Sequence, residues 1–163
     1  MRQFGGPGEM LEMMIQIATK AHAGQLDQGG MPYILHPLTV MHTLHTDDEE
    51  LMCIAIGHDM VEDTDVTFQE LRDLGFTERV IQGINDLSKR RGETLAEYKT
   101  RVKSNKDAIL VKREDLRHNS DIRRLRGVKQ RDIDRMIRYH EFWVELNDAL
   151  EYIKMCECQP TAG

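Results

Sequence analysis

Gly57-His58-Asp59-Met60-Val61-Glu62-Asp63 is the stretch from which the rest of the sequence is best read. A His-Asp pair can present one imidazole nitrogen and one carboxylate oxygen to the same cation. On a helix, Glu62 falls four residues after His58 and Asp63 four after Asp59, and residues four apart share a face. That face carries an imidazole and three carboxylates. Such a set repels itself unless a cation or a proton holds it together. Thr46 and Glu49 form a capping-box pattern ahead of Leu51, Ile54, Ala55 and His58, which makes the stretch helical.

The flanking sequence is helical as well. Residues 8–23 carry Met10, Leu11, Met14, Ile15, Ile17 and Ala18 at helical spacing until Gly24 breaks the pattern. The loop 24–35 holds Gly29, Gly30 and Pro32. Pro37 suits a first helical position, which places His36 at the N-cap of a helix reaching about Leu44. Thr67 with Glu70 and Thr94 with Glu97 repeat the capping box. Residues 78–87, 105–121 and 130–155 read as further helices, and Lys89-Arg90-Arg91-Gly92 as a basic turn. No segment alternates with period two for long, so the expectation is an all-α fold with no sheet.

With 163 residues, 40% hydrophobic and 31% charged, the chain fits one ordinary globular domain. A net charge of −6 argues against nucleic-acid binding driven by bulk charge. Three cysteines, two of them Cys156 and Cys158, make no disulfide framework, so a reducing, cytoplasmic setting is expected. No apolar run approaches the ~20 residues of a membrane span, and the start has no signal-peptide pattern. Nothing in the sequence sets the oligomeric state, and a homo-oligomer stays open.

Two more clusters carry chemistry. In Val111-Lys112-Arg113-Glu114-Asp115-Leu116-Arg117-His118-Asn119, a helix puts Lys112, Asp115 and Asn119 on one face. A carboxylate between a cation and an amide is a meeting point for a metal and a phosphate. In Pro32-Tyr33-Ile34-Leu35-His36-Pro37, a histidine is fixed at a loop-helix junction. These stretches, with Ala21-His22-Ala23-Gly24-Gln25 and His58 through Thr64, resemble the HD-domain metal-dependent phosphohydrolases. They are most similar to the hydrolase domain of RelA/SpoT alarmone enzymes and its small single-domain bacterial and phage relatives. The four segments come in the family's order across roughly residues 18–125.

The resemblance implies a single HD-domain helical bundle of about eight helices over residues 1–163. It implies one divalent metal on His36, His58, Asp59 and Asp115. Two nitrogens and two carboxylates suit manganese, with Fe2+, Co2+ or Zn2+ as other occupants. By the same pattern, Glu62 and Asp63 are the catalytic carboxylates, and Lys112 and Asn119 contact the nucleotide. The activity implied is 3′-pyrophosphohydrolysis of guanosine tetra- or pentaphosphate. Two other readings are a phosphatase for another nucleotide or a phosphorylated cofactor such as NADPH, and a non-catalytic nucleotide-binding domain. The chain departs from the alarmone pattern at Asp27, Gln28, Gly29 and Gly30, where Arg-Lys-Ser-Gly is usual. It departs again at Glu114, where a small apolar residue is common. Lys89, Arg90, Arg91 and Arg117 are candidates for replacement charge. His22 and His118 read as neighbours of the ligands. Arg117, Arg123, Arg124, Arg126, Lys129 and Arg131 read as a solvated basic face.

Overall fold

The computed structural model describes residues 4–157. Among these are nine α-helices: α1 (Glu9–Ala21), α2 (Leu35–Thr43), α3 (Glu49–Gly57), α4 (Met60–Asp63), α5 (Phe68–Asp73), α6 (Glu78–Leu87), α7 (Leu95–Lys103), α8 (Lys106–Asn119) and α9 (Gln130–Glu157). A 3-10 turn, Ile122–Arg124, leads from α8 towards α9. The described residues contain no strand, only an isolated bridge between Leu26 and Pro32. The all-α expectation holds, and the helix count matches once α4 is recognised as a single turn.

Helix α3 is the axis of the bundle. Its Leu51, Cys53, Ile54, Ala55, Ile56 and Gly57 are all buried, so it is apolar all round after its first turn. It packs against α1, α2, α6 and α8. Glycines permit the closest of these contacts. A Cβ on Gly57 would lie 2.6 Å from Ile84 Cδ1, and one on Gly83 would lie 2.5 Å from Ile54 Cδ1. At these two points each helix's glycine lets an isoleucine side chain of the other lie against its backbone, and a larger residue would force that side chain to shift. Met14, Ile54, Ile56, Met60, Ile81, Ile84, Ile109 and Leu146 fill the space between the helices.

The capping boxes at Thr67 and Thr94 are formed with both of their hydrogen bonds. The one expected at Thr46 is not. Asp48 caps α3 instead, accepting from Leu51 N at 3.1 Å, and Thr46 accepts from Asp48 N at 3.1 Å. Glu49 turns the other way and caps α1. Its carboxylate accepts from the N–H groups of Gly8, Met10 and Leu11 at 3.1, 3.0 and 3.0 Å. The free N–H groups at the start of α1 attract a carboxylate from wherever the fold supplies one. Sequence-local pairing missed this contact across 38–41 residues.

His36 is also displaced from its expected place at a cap. The chain already turns at Pro32, with Leu35 N donating to Pro32 O at 3.1 Å and His36 N to Tyr33 O at 2.9 Å. His36 is thus the second residue of α2, inside the bundle. Cys53 is buried and Cys156 exposed, both as free thiols; Cys158 lies outside the described residues. No described helix is long and apolar enough to cross a membrane.

Candidate metal centre

Three elements converge on one buried point: the start of α2 with His36, the break between α3 and α4 with His58 and Asp59, and the middle of α8 with Asp115. The residue exposures are 3% for His36, 1% for His58 and 3% for Asp115. One ligand-type atom from each of these three lies within 4.8 Å of the others. His36 Nε2 is 3.0 Å from Asp115 Oδ1, and His58 Nε2 is 2.9 Å from Asp59 Oδ2. The cross distances are 3.7 Å from His36 Nε2 to Asp59 Oδ2 and 3.6 Å from His58 Nε2 to Asp115 Oδ1. All four residues expected as ligands are therefore together.

The outward nitrogens of both rings are spoken for. His58 Nδ1 lies 2.7 Å from the Ala55 carbonyl, which can only accept, so Nδ1 carries the proton. His36 Nδ1 lies 2.6 Å from His118 Nδ1, and the two rings stack with centroids 4.9 Å apart. Donation from His36 Nδ1 to His118 leaves His36 Nε2 with its lone pair. Both Nε2 atoms are buried and lack a hydrogen-bond partner; the nearby carboxylate oxygens are close without hydrogen-bond geometry. Two unsatisfied imidazole lone pairs beside two carboxylates form a donor set that fits a divalent cation. Outer partners fixing a ring's orientation are the usual companions of such ligands.

Asp115 is held by both residues expected to touch the nucleotide. Lys112 Nζ lies 2.8 Å from its Oδ2, and Asn119 Nδ2 donates to its Oδ1 at 2.6 Å. Asp59 accepts a short hydrogen bond from the Tyr33 hydroxyl. Burial pushes the Asp115 carboxyl up, but Lys112, His36 and His58 outweigh it and hold the group well below the usual range. Burial likewise pulls His58 down, and Asp59 and Asp115 outweigh it, so the ring's proton affinity rises well above normal. The same two carboxylates that favour positive charge on His58 would favour a cation facing its Nε2.

Glu62 and Asp63 sit one turn beyond, on α4. Glu62 accepts from Lys89 N at 2.9 Å, and Lys89 Nζ lies 3.7 Å from it. Of the proposed replacement cations, Lys89 thus comes to this edge, whereas Arg117 pairs with Glu114 at 3.2 Å. The Asp63 carboxyl is raised by burial and by the charges of Asp59 and Glu62. Gln25 donates to the Asp63 carbonyl at 3.1 Å and accepts from His22 Nδ1 at 2.8 Å. His22 is buried and its Nε2 has no partner. Tyr33 and Arg124 are site residues that the sequence reading left without a role. Tyr33 belongs to the Pro32–Pro37 stretch. Arg124 belongs to the run expected as a solvated face, yet its side chain is only 21% exposed and pairs with Asp27 at 2.9 Å.

The chain is similar in sequence to several curated enzymes. It is 34% identical over 106 residues to a guanosine-3′,5′-bis(diphosphate) 3′-pyrophosphohydrolase of Haemophilus influenzae, covering 62% of this chain and 15% of that protein. It is 40% identical over 80 residues to the Danio rerio guanosine-3′,5′-bis(diphosphate) 3′-pyrophosphohydrolase MESH1, covering 44% of each. A GTP pyrophosphokinase of Streptomyces coelicolor is 30% identical over 139 residues, covering 78% of this chain and 16% of that protein. The chain thus spans less than half the length of each of these relatives. No family model matches it. Among solved structures, a metazoan ortholog of SpoT, described as hydrolysing ppGpp, superposes with a TM-score of 0.71 at 22% identity. The match covers 95% of this chain and 99% of that one. The chain therefore has the all-α fold of that ortholog, and its sequence relatives bear out the resemblance to RelA/SpoT-type hydrolases.

Proposed function

We propose that this chain is a divalent-metal-dependent phosphohydrolase that removes the 3′-diphosphate of guanosine alarmones, giving GDP or GTP and pyrophosphate. The observation that carries the reading is the pair of buried, unpartnered Nε2 lone pairs of His36 and His58, facing the Asp115 and Asp59 carboxylates. The names of the sequence relatives supply the substrate class. His36, His58, Asp59 and Asp115 hold one ion, manganese being favoured by the mixed nitrogen and carboxylate set. When bound, the ion supplies a polarised phosphoryl oxygen and a water acidic enough to attack at neutral pH.

The protein residues do the rest. Asp63, with its carboxyl raised by burial and by neighbouring charge, is suited to take the proton of the attacking water and return it to the leaving oxygen. Glu62 shares that edge and is steadied by the Lys89 backbone. Tyr33 holds one oxygen of Asp59, leaving the carboxylate a fixed direction. Lys112 and Asn119 act on Asp115 at rest and are positioned to meet a nucleotide that reaches α8. Free thiols at Cys53 and Cys156 accord with action in the cytoplasm.

A second reading rests on the loop at Asp27. A carboxylate stands there, paired with Arg124, so the wall of the cavity beside His36 adds little net positive charge. That favours a less anionic nucleotide or a phosphorylated cofactor such as NADPH. One assay separates the readings. Manganese-loaded protein is incubated with guanosine tetraphosphate, mononucleotides and NADPH, and the products are resolved by anion exchange. Pyrophosphate from the tetraphosphate is expected. Orthophosphate from another member, with the tetraphosphate untouched, would transfer the assignment to the second reading.

A further inference from the structure

The side chain of Arg124 reaches three places at once. Its Nη2 donates to Asp27 Oδ2 at 2.9 Å, and its Nη1 donates to the His118 carbonyl at 3.0 Å and to Asn119 Oδ1 at 3.3 Å. Each of the last two residues holds a residue of the candidate metal centre: Asn119 donates to Asp115, and His118 stands against His36. Asp27 is itself locked. Its Oδ1 accepts from Gly29 N at 2.8 Å and Met31 N at 2.9 Å. The loop is pressed onto the same segment by its backbone, since a Cβ on Gly29 would stand 2.3 Å from the Arg124 carbonyl oxygen. Arg126 adds a bond from Nε to the Gly29 carbonyl at 3.1 Å. A cavity of about 260 Å³ opens between these parts, lined by Asp27, Tyr33, His36, Asn119 and Arg124 among others.

We infer that Arg124 is a positioning residue for the metal centre, with Asp27 as its anchor, so that the loop between α1 and α2 and the ligands on α2 and α8 act as one unit. The guanidinium fixes the Asn119 amide with its oxygen outward and its N–H groups on Asp115. It also ties down the His118 carbonyl near the end of α8, beside the His118 ring. A planar fork with donors on several edges can span these acceptors; a single ammonium cannot. Asp27 decides where the fork sits. This accounts for a carboxylate at position 27 and glycine at position 29 in a loop that borders a site for anions. The inference rests on the metal reading above and is independent of the substrate.

The test is a Mn2+ titration of the metal-free full chain, reading free Mn2+ by electron paramagnetic resonance, alongside thermal midpoints without metal. Arg124→Gln should weaken Mn2+ binding by about 10-fold or more, the scale for losing an outer partner of a ligand. Arg124→Lys should not restore it. Asp27→Asn keeps acceptors for Gly29 and Met31 but removes the charge, and should weaken binding in the same direction by less. The double variant should bind no more weakly than Arg124→Gln alone, because the two residues act as one. Arg79→Gln is the control: it breaks an ion network away from the site, and should lower the midpoint while leaving Mn2+ affinity intact. Unchanged affinity in Asp27→Asn and in either Arg124 variant, with the unaltered chain binding one Mn2+, would overturn this inference alone. No Mn2+ binding by the unaltered chain would overturn it together with the metal reading.

Discussion

Two clusters of charge in this molecule are built from similar residues, and one is closed where the other is open. Around Arg79, one guanidinium meets three carboxylates. Nε and Nη2 reach Asp107 at 2.7 and 3.0 Å, Nη1 and Nη2 reach Asp48 at 3.1 and 2.7 Å, and Nη1 reaches Glu50 at 3.0 Å. The N–H groups that point into the cluster all have an oxygen. Around Asp115, the charges are buried and the inward nitrogens of His36 and His58 have no partner. A fold tolerates a closed network for stability, but an open one in its interior costs free energy unless something else fills it. The difference distinguishes a closed ionic brace from a cluster with unfilled donors, without any reference to family.

Removing a ligand tests the open cluster most severely. Asp115→Ala should abolish stoichiometric metal binding and turnover together, as measured by elemental analysis and product release. Full metal content in that variant would make Asp115 something other than a ligand. Glu62→Gln and Asp63→Asn should keep the metal and the fold while cutting turnover ~10²-fold or more. Metal loss in either one would move that residue into the ligand set.

The pH dependence is a smaller effect with a definite sign. The Asp63 carboxyl is raised by burial and by Asp59 and Glu62. As a base it works only when ionised, so activity should fall as pH drops through the raised value, at a higher pH than an exposed aspartate would give. The residual activity of Asp63→Asn should lack that limb. A limb unchanged in Asp63→Asn would assign it to another group. Smallest of all, Arg79→Gln should cost about 1 kcal/mol in a urea titration, since the side chain is 40% exposed and solvent screens the network. Catalysis should not change. A loss of turnover there would erase the contrast between the two clusters.

The candidate ligand cluster was legible because all four of its residues lie in short motifs with a helical or junctional setting, and His58-Asp59 is itself adjacent in sequence. The all-α architecture was legible from periodicity and from Thr67 and Thr94, whose capping is local. Two of the three misread parts, Glu49 and Arg124, depend on contacts far apart in sequence. Glu49 was paired with Thr46 because both are near, but its carboxylate caps α1. His36 was placed one step outside its helix because Pro37 marks a first turn, while the chain had begun to turn at Pro32. Arg124 looked like one basic residue among several. Its burial is set by Asp27, 97 positions away, which no local pattern carries.

In the proposed site, two imidazole nitrogens and two carboxylates share one ion. Pulsed electron paramagnetic resonance on the protein loaded with one Mn2+ counts those nitrogens directly. Nitrogen modulation from two imidazoles is expected, falling to one in His36→Ala or His58→Ala wherever the ion is retained. A bound Mn2+ with no imidazole coupling, ligated by oxygen alone, would contradict that ligand set.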